Sequence, residues 1–213
     1  MAEIFALDIE TAPLPDAAEH FDEADVKIGN LKDPEKIEAK IQKARSEFVN
    51  RAALSWLTGR ITCICLYNEE QSIPLYIGNG EGMDDEEGIL RAFWAIYAGR
   101  RFVTYNGYSF DMQFIIMRSL VLGLGVDIEL RGRKHLRNLH GDRHIDLINL
   151  FDSCGNWQGM GKVCKAILGE GKTGTGAEAI ELFEQGKHVE LAEYCMKDAE
   201  LTWKLWQKIG GGA

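Results

Sequence analysis

A chain of 213 residues, 46% hydrophobic and 27% charged, can bury one sizeable core, and without any long low-complexity tract a soluble globular protein is the default. Its formal net charge of −9 argues against a protein that coats nucleic acid with a broad basic face, but not against an enzyme that grips one strand end. Carboxylates gathered to hold divalent cations lower the formal charge, and bound cations reverse the local field.

The opening segment MAEIFALDIE is apolar for only a few residues and carries acids, so it reads as neither a signal peptide nor a membrane span. No later stretch approaches bilayer length, and a cytoplasmic location is expected. Five cysteines, an odd number without paired spacing, read as reduced thiols of such a compartment. Cys63 and Cys65 alternate with Ile64 and Leu66 in an apolar run, which points to core packing. No second cysteine pair accompanies them, which counts against a zinc site.

In chain order, Glu3–Ile9 is a short apolar run read as a buried strand, and Thr11–Pro15 is expected to break regular structure. Residues 16–59 are polar and acidic, then helical. Asp33 can cap a helix with Pro34 at its first position, and Ile37, Ile41, Ala44, Phe48 and Ala52 follow at helical spacing. This stretch is expected to be an inserted helical arm instead of a separate domain, because its single apolar stripe must pack on something else. Arg60–Tyr67 and Ser72–Ile77 form a hairpin through Asn68–Gln71. The pattern then predicts a helix over Glu86–Ala98, a strand over Phe102–Tyr105, a helix over Phe110–Leu122 and, after a basic loop, a strand over Ile145–Leu150. Helices follow over Trp157–Leu168, Ala177–Glu184 and Val189–Ile209, with Gly210–Ala213 a flexible tail. Residues 1–209 are therefore expected to form one α/β layered domain with a mixed sheet.

Three places carry chemistry. Asp8 and Glu10 end the first strand two residues apart, so both point to one side of the sheet edge, an arrangement suited to hard divalent ions. A strand end turning into water is the bland alternative. In the last helix Leu191, Tyr194, Asp198, Leu201 and Leu205 share one face. Asp198 would not bury there without a cation or a donor, and Lys197 or an arginine elsewhere would serve as well as a metal. Tyr194 stands one turn before it. The third place is Tyr105–Asp111, where Asn106-Gly107 signals a turn and Asp111 opens the next helix, a position the macrodipole alone would explain.

Together these segments resemble the DEDD superfamily of 3′–5′ exonucleases. Asp8-Ile9-Glu10-Thr11 is similar to the first motif, Asn106 to Asp111 with Met112-Gln113-Phe114-Ile115 to the second, and Tyr194 to Leu201 (YCMKDAEL) to the third in its tyrosine subtype, DEDDy. The nearest likeness is to the proofreading domains of family B DNA polymerases and their stand-alone relatives. The histidine subtype would place its histidine where Glu193 stands, and His188 lies too far upstream.

The resemblance implies a ribonuclease H-like fold and two divalent metal ions, Mg²⁺ or Mn²⁺. Asp8, Glu10 and Asp198 would hold the first ion. Asp8 would also hold the second, on which Asp111 would act through water. Tyr194 would position the attacking water. It also implies a single-stranded DNA 3′ end as substrate and nucleoside 5′-monophosphates as products. The chain is too short to hold a polymerase domain as well, so proofreading would need a separate DNA polymerase or another replication or repair protein. No membrane partner is expected. A ribonuclease of the same superfamily and a catalytically idle nucleic-acid or polymerase interaction module remain alternatives.

Other residues are weighed beside that set. Asp146 is expected to make a structural hydrogen bond. Asn106 contacts the terminal nucleotide or, as slightly favoured, caps the turn. Phe110 wedges against a base or packs in the core. Lys172, in a glycine-flanked loop that matches no P-loop, is a candidate for a phosphate contact. Arg131, Arg133 and Lys134 open a cationic run, continued by Arg137 and Arg143, that would draw an acidic strand toward a carboxylate-rich site.

Overall fold

The computed structural model of the chain describes residues 3–80, 82–126, 143–151, 156–172 and 174–211. Five strands form one sheet: β1 (Ile4–Pro13), β2 (Gly59–Tyr67), β3 (Ser72–Tyr76), β4 (Arg101–Thr104) and β5 (His144–Asp146), in the order β3-β2-β1-β4-β5. β1 and β4 run parallel, with Ile4 opposite Arg101 and Ala6 opposite Val103. β4 and β5 are also parallel, whereas β2 and β3 form the expected antiparallel hairpin, with Cys63 opposite Tyr76. Among the described residues, helices α1 (Pro34–Asn50), α2 (Glu86–Tyr97), α3 (Asp111–Val121), α4 (Met160–Ile167), α5 (Gly176–Glu184) and α6 (His188–Lys208) make this an α/β architecture. No described helix is long and apolar enough to cross a membrane.

The chain divides into two compact units, Met1–Glu10 with Ile61–Ala213, and Thr11–Arg60. In the smaller unit, Asp33 caps α1 by accepting from the Glu35 N–H at 3.1 Å, with Pro34 behind it as expected. No α1 residue is fully buried, and Phe48 meets Phe21 edge-on with centroids 5.6 Å apart. Arg45 lies over the Phe21 ring and pairs with Glu23 at 2.8 Å. β1 runs on through the expected break as far as Pro13. Tertiary contacts override the local signal there: Thr11 and Ala12 are buried, and the Thr11 hydroxyl donates to the Ala53 carbonyl at 2.7 Å.

In the larger unit, α2 is capped by Asp85 and buries Ile89, Leu90, Phe93 and Tyr97. Tyr97 stacks on Phe102 of β4 at 5.2 Å. α3 is fixed to α2 by a buried ion pair in which Arg118 grips Glu86 through Nη2–Oε2 at 2.7 Å and Nε–Oε1 at 3.0 Å. Glu86 also accepts the Ile61 N–H at 2.7 Å, so its charge is hydrogen-bonded on more than one side. The strand expected over Ile145–Leu150 stops at Asp146, and Leu147–Leu150 is a 3₁₀ turn. The Asp146 carboxylate accepts the Ile148 N–H at 3.2 Å, diverting the backbone from the ladder. A capping box of Thr175 and Glu178 opens α5. α6 contacts β3, β4, α4 and α5. Its Leu191, Ala192, Cys195 and Ala199 pack with Cys63 and Cys65 of β2, and its Leu201 and Leu205 with Val103, Val163 and Cys164.

Candidate functional site

The carboxylates anticipated from sequence come from three separated elements. Asp8 and Glu10 stand on one side of β1, and Ile9 between them donates its backbone N–H to the carboxylate of Asp111. The first residue of α3 is only 5% exposed, unusual for a carboxylate at a helix start. α6 supplies Asp198, 2% exposed, and Tyr194 one turn earlier, half-buried. The Cys195 thiol, beside Tyr194 in sequence, donates to the Asp8 carbonyl at 3.4 Å and lies 3.7 Å from Asp8 Oδ2. Ligand atoms of Asp8, Glu10 and Cys195 fall within 4.8 Å of one another.

Protein surrounds this cluster, yet Asp8 and Glu10 retain accessible surface, so an ion has a way in. Burial, followed by the Cys195 sulfur and the facing carboxylates, raises the pKa of Asp8 well above the usual range. Glu10 is raised by burial, Cys195, Asp198 and Asp111, against an opposing pull from Lys172. Burial pushes Asp111 up to about 7, with the charge of Asp146 adding to it. Asp198 is raised by burial while Lys172 opposes. A group of acids held partly against ionisation will take up cations that restore their charged form.

Among the described residues, Lys172 brings a positive charge to the site. Its ammonium lies 2.5 Å from Asp198 Oδ2, with its side chain 35% exposed. Burial would lower its pKa, but the charges of Asp8 and Asp198 more than offset that and hold it above the ordinary range. Sequence reasoning offered Lys197 or an arginine as the neutralising cation and gave Lys172 a phosphate contact. The pairing across 26 residues of chain has no periodic signal that would have revealed it (198 − 172).

Tyr194 is held protonated by burial and then by the nearby charge of Asp198, which together raise its pKa. Gly174 lies against its ring: a Cβ there would come within 2.9 Å of Tyr194 Cε2 and 2.5 Å of Glu178 Oε2.

The turn between β4 and α3 is clamped by Asp146, which accepts the N–H groups of Asn106 at 2.7 Å and Tyr108 at 2.9 Å as well as that of Ile148. Asp146 thus makes the structural bonds expected of it. Asn106 sits in that turn with a left-handed backbone, φ 73°, the one positive-φ non-glycine residue among those described. Phe110 is half-buried with its ring 5.5 Å from that of Phe114, which is fully buried. Arg131, Arg133, Lys134 and Arg137, like the tail residues Gly212 and Ala213, lie outside the described residues. Cys195 was missed by sequence reasoning. It sits 187 residues from Asp8 and looks, in sequence, like one more helix-core residue.

Comparison with known proteins agrees with this architecture. A family B DNA polymerase from Pyrobaculum calidifontis superposes on 97% of this chain and 24% of its own, with a TM-score of 0.63 at 14% identity. The mixed five-stranded sheet with flanking helices is a ribonuclease H-like fold. A DNA polymerase of Pyrococcus glycovorans is 31% identical over 120 residues, covering 50% of this chain and 16% of the polymerase. DNA polymerase 1 of Saccharolobus solfataricus is 31% identical over 150 residues, 64% of this chain and again 16% of the polymerase. The chain thus spans about a sixth of these relatives. Residues 54–210 match a family described as "predicted 3′-5′ exonuclease related to the exonuclease domain of PolB", a span that holds Asp111, Tyr194 and Asp198 and begins after Asp8 and Glu10. That match runs over most of the sequence, and the chain belongs to this family of exonucleases related to the exonuclease domain of PolB.

Proposed function

We propose that this chain is a DEDDy exonuclease that removes nucleotides one at a time from the 3′ ends of single-stranded DNA, using two divalent ions, Mg²⁺ or Mn²⁺. The observation that carries the reading is the meeting of Asp8, Glu10, Asp111 and Asp198 beside Tyr194 from β1, α3 and α6. Among the described residues four carboxylates face one ammonium, and hard oxygen donors in that excess fit two divalent cations. Asp8, Glu10 and Asp198 would hold the first, and Asp8, with Asp111 acting through water, the second. When bound, such a pair lowers the pKa of the attacking water and stabilises the attacking and leaving oxygens.

The chain's own residues do the positioning. Tyr194 keeps its proton at neutral pH, which suits an orienting hydrogen-bond partner for water better than a general base. Lys172 neutralises Asp198 when no cation is present, and beside a substrate its ammonium would meet a phosphate oxygen. Asn106 and Phe110, at the mouth of α3, are proposed to contact the terminal nucleotide. Arg131, Arg133 and Lys134 are proposed to hold phosphates upstream. A separate polymerase or repair protein would deliver the strand end.

The test is digestion of end-labelled single-stranded DNA with Mg²⁺, Mn²⁺ or chelator. A ladder of 3′-shortened products with release of 5′-monophosphates is expected. Unchanged cleavage in excess chelator overturns the metal requirement, and cleavage of a circular single strand overturns the exonuclease assignment. Faster digestion of a matched RNA makes the protein a ribonuclease.

A further inference from the structure

Directly behind the carboxylates lies a second group of metal-ligating atoms, and they are of a different chemical kind. Cys63 and Cys65 project from one side of β2, and Cys195 from α6 meets them. All three are fully buried, and their sulfurs lie within 4.8 Å of one another. Cys63 Sγ and Cys65 Sγ are 3.6 Å apart, and Cys195 Sγ is 3.7 Å from Asp8 Oδ2. In a tetrahedral zinc site with Zn–S bonds of about 2.3 Å, neighbouring ligand atoms stand about 3.8 Å apart. The Cys63–Cys65 and Cys195–Asp8 spacings fall in that range, and a shift of the Asp8 carboxylate toward Cys63 and Cys65, from which it stands apart in the metal-free protein, would close one shell. The strand pair lacked a partner in sequence, and the helix supplies it.

We propose that Cys63, Cys65 and Cys195, with Asp8 as the oxygen donor, form a site for a soft divalent cation, Zn²⁺ or Cd²⁺, adjoining the hard-metal position and sharing Asp8 with it. Thiolates select such ions over Mg²⁺, whereas Glu10, Asp111 and Asp198 offer only oxygen. On ligation the three thiols release their protons to solvent and the cation takes the sulfur lone pairs, with no change of oxidation state. The ion enters past Asp8 and Glu10, the accessible side of the cluster. Because one carboxylate serves both positions, filling the sulfur site draws Asp8 away from the carboxylate pocket. On the exonuclease reading, on which this consequence alone rests, Zn²⁺ then suppresses Mn²⁺-supported cleavage by about tenfold or more, the scale on which metal sites respond to disturbed ligand support.

The experiment is zinc-edge X-ray absorption on the full chain loaded with one equivalent of Zn²⁺, beside a Cd²⁺ titration read by its thiolate charge-transfer band. A shell of three sulfurs near 2.3 Å with one lighter atom is expected. Besides these three the chain has only Cys164 and Cys154, the latter outside the described residues, and two cysteines alone cannot supply three sulfurs. A shell of oxygen and nitrogen alone, or no cadmium–thiolate band, overturns the proposal, and neither readout depends on a variant folding. In Cys195→Ala the sulfur count should fall, and a shell left at three sulfurs overturns the assignment. Cys154→Ser with Cys164→Ser should leave the spectra unchanged, and loss of the sulfur shell there equally overturns it. If the protein cleaves no DNA with Mn²⁺ the exonuclease reading fails while the sulfur shell is still read. If it cleaves and Zn²⁺ gives no inhibition that Cys65→Ala relieves, the shared-ligand link fails.

Discussion

Asp111→Asn isolates what the carboxylate cluster does to stability. Burial pushes the Asp111 carboxyl from 3.8 to about 7, with Asp146 adding and Lys172 and the Ile9 N–H opposing. Because the folded value lies above the unfolded one, the folded state binds the extra proton between them. The stabilisation is complete below about pH 4, declines as pH rises through that window and is lost above about pH 7. Between about pH 5 and pH 8 the metal-free protein should lose about 3 kcal/mol from this group, two pH units at about 1.36 kcal/mol each. For a chain of this length that corresponds to about 6–12 °C in Tm. Asparagine keeps an oxygen for the Ile9 N–H and carries no charge, so the variant should lose that much less over the same interval. Some slope will remain, since Asp8 and Glu10 are shifted in the same direction. Thermal unfolding followed by circular dichroism in chelator measures both slopes, and adding Mn²⁺ should flatten that of the wild type, because a bound cation favours the ionised carboxylates. Equal slopes in the two proteins, or a wild type that gains stability from pH 5 to pH 8, would refute the reasoning.

Tyr194→Phe should keep metal affinity while kcat drops by about 10- to 100-fold, as only the orientation of water changes; a wild-type rate would remove the hydroxyl from the mechanism. Gly174→Ala forces a methyl against the Tyr194 ring and the capping Glu178, so kcat should fall by about tenfold with little change in Tm, a split that steady-state kinetics and melting resolve together. Arg118→Met strands the buried Glu86 charge and should cost about 3–5 kcal/mol, read as a lower denaturant midpoint at unchanged m-value. Replacing Arg131, Arg133 and Lys134 together with alanine should raise KM and flatten its salt dependence while kcat holds, and an unaltered salt slope would make that run an ordinary surface loop.

Local signals carried much of the fold. The Asp33-Pro34 start of α1, the β2–β3 hairpin and the stripe of α6 depend on neighbours within a turn or a strand pair, and each lies where its pattern puts it. Thr11 to Pro13 reads as a break because proline and the residues before it weigh against regular structure, while the bond from Thr11 to Ala53 that sustains the strand spans 42 residues. The strand expected to Leu150 is cut short by a side chain, Asp146, whose oxygens compete for backbone donors that apolar periodicity does not register. At the site, residue types and motif order pointed to the carboxylates. The partners of those carboxylates were not legible, because Lys172 to Asp198 and Cys195 to Asp8 are contacts made only once the sheet and the last helix have met.

The meeting of β1 with α6 also sets when, during synthesis, the carboxylate cluster can assemble. Contacts between Asp8 and the helix of Asp198 close a loop of 187 residues, so one half of the carboxylate cluster leaves the ribosome well before the other. Synthesis proceeds at about 5–20 residues per second, leaving the early carboxylates for about ten seconds or more without Asp198. Throughout that interval the nascent chain lacks Asp198, and on the exonuclease reading proposed above a ribosome that stalls before α6 emerges would release a fragment without the full ligand set. On that reading, cleavage would wait until α6 has been made.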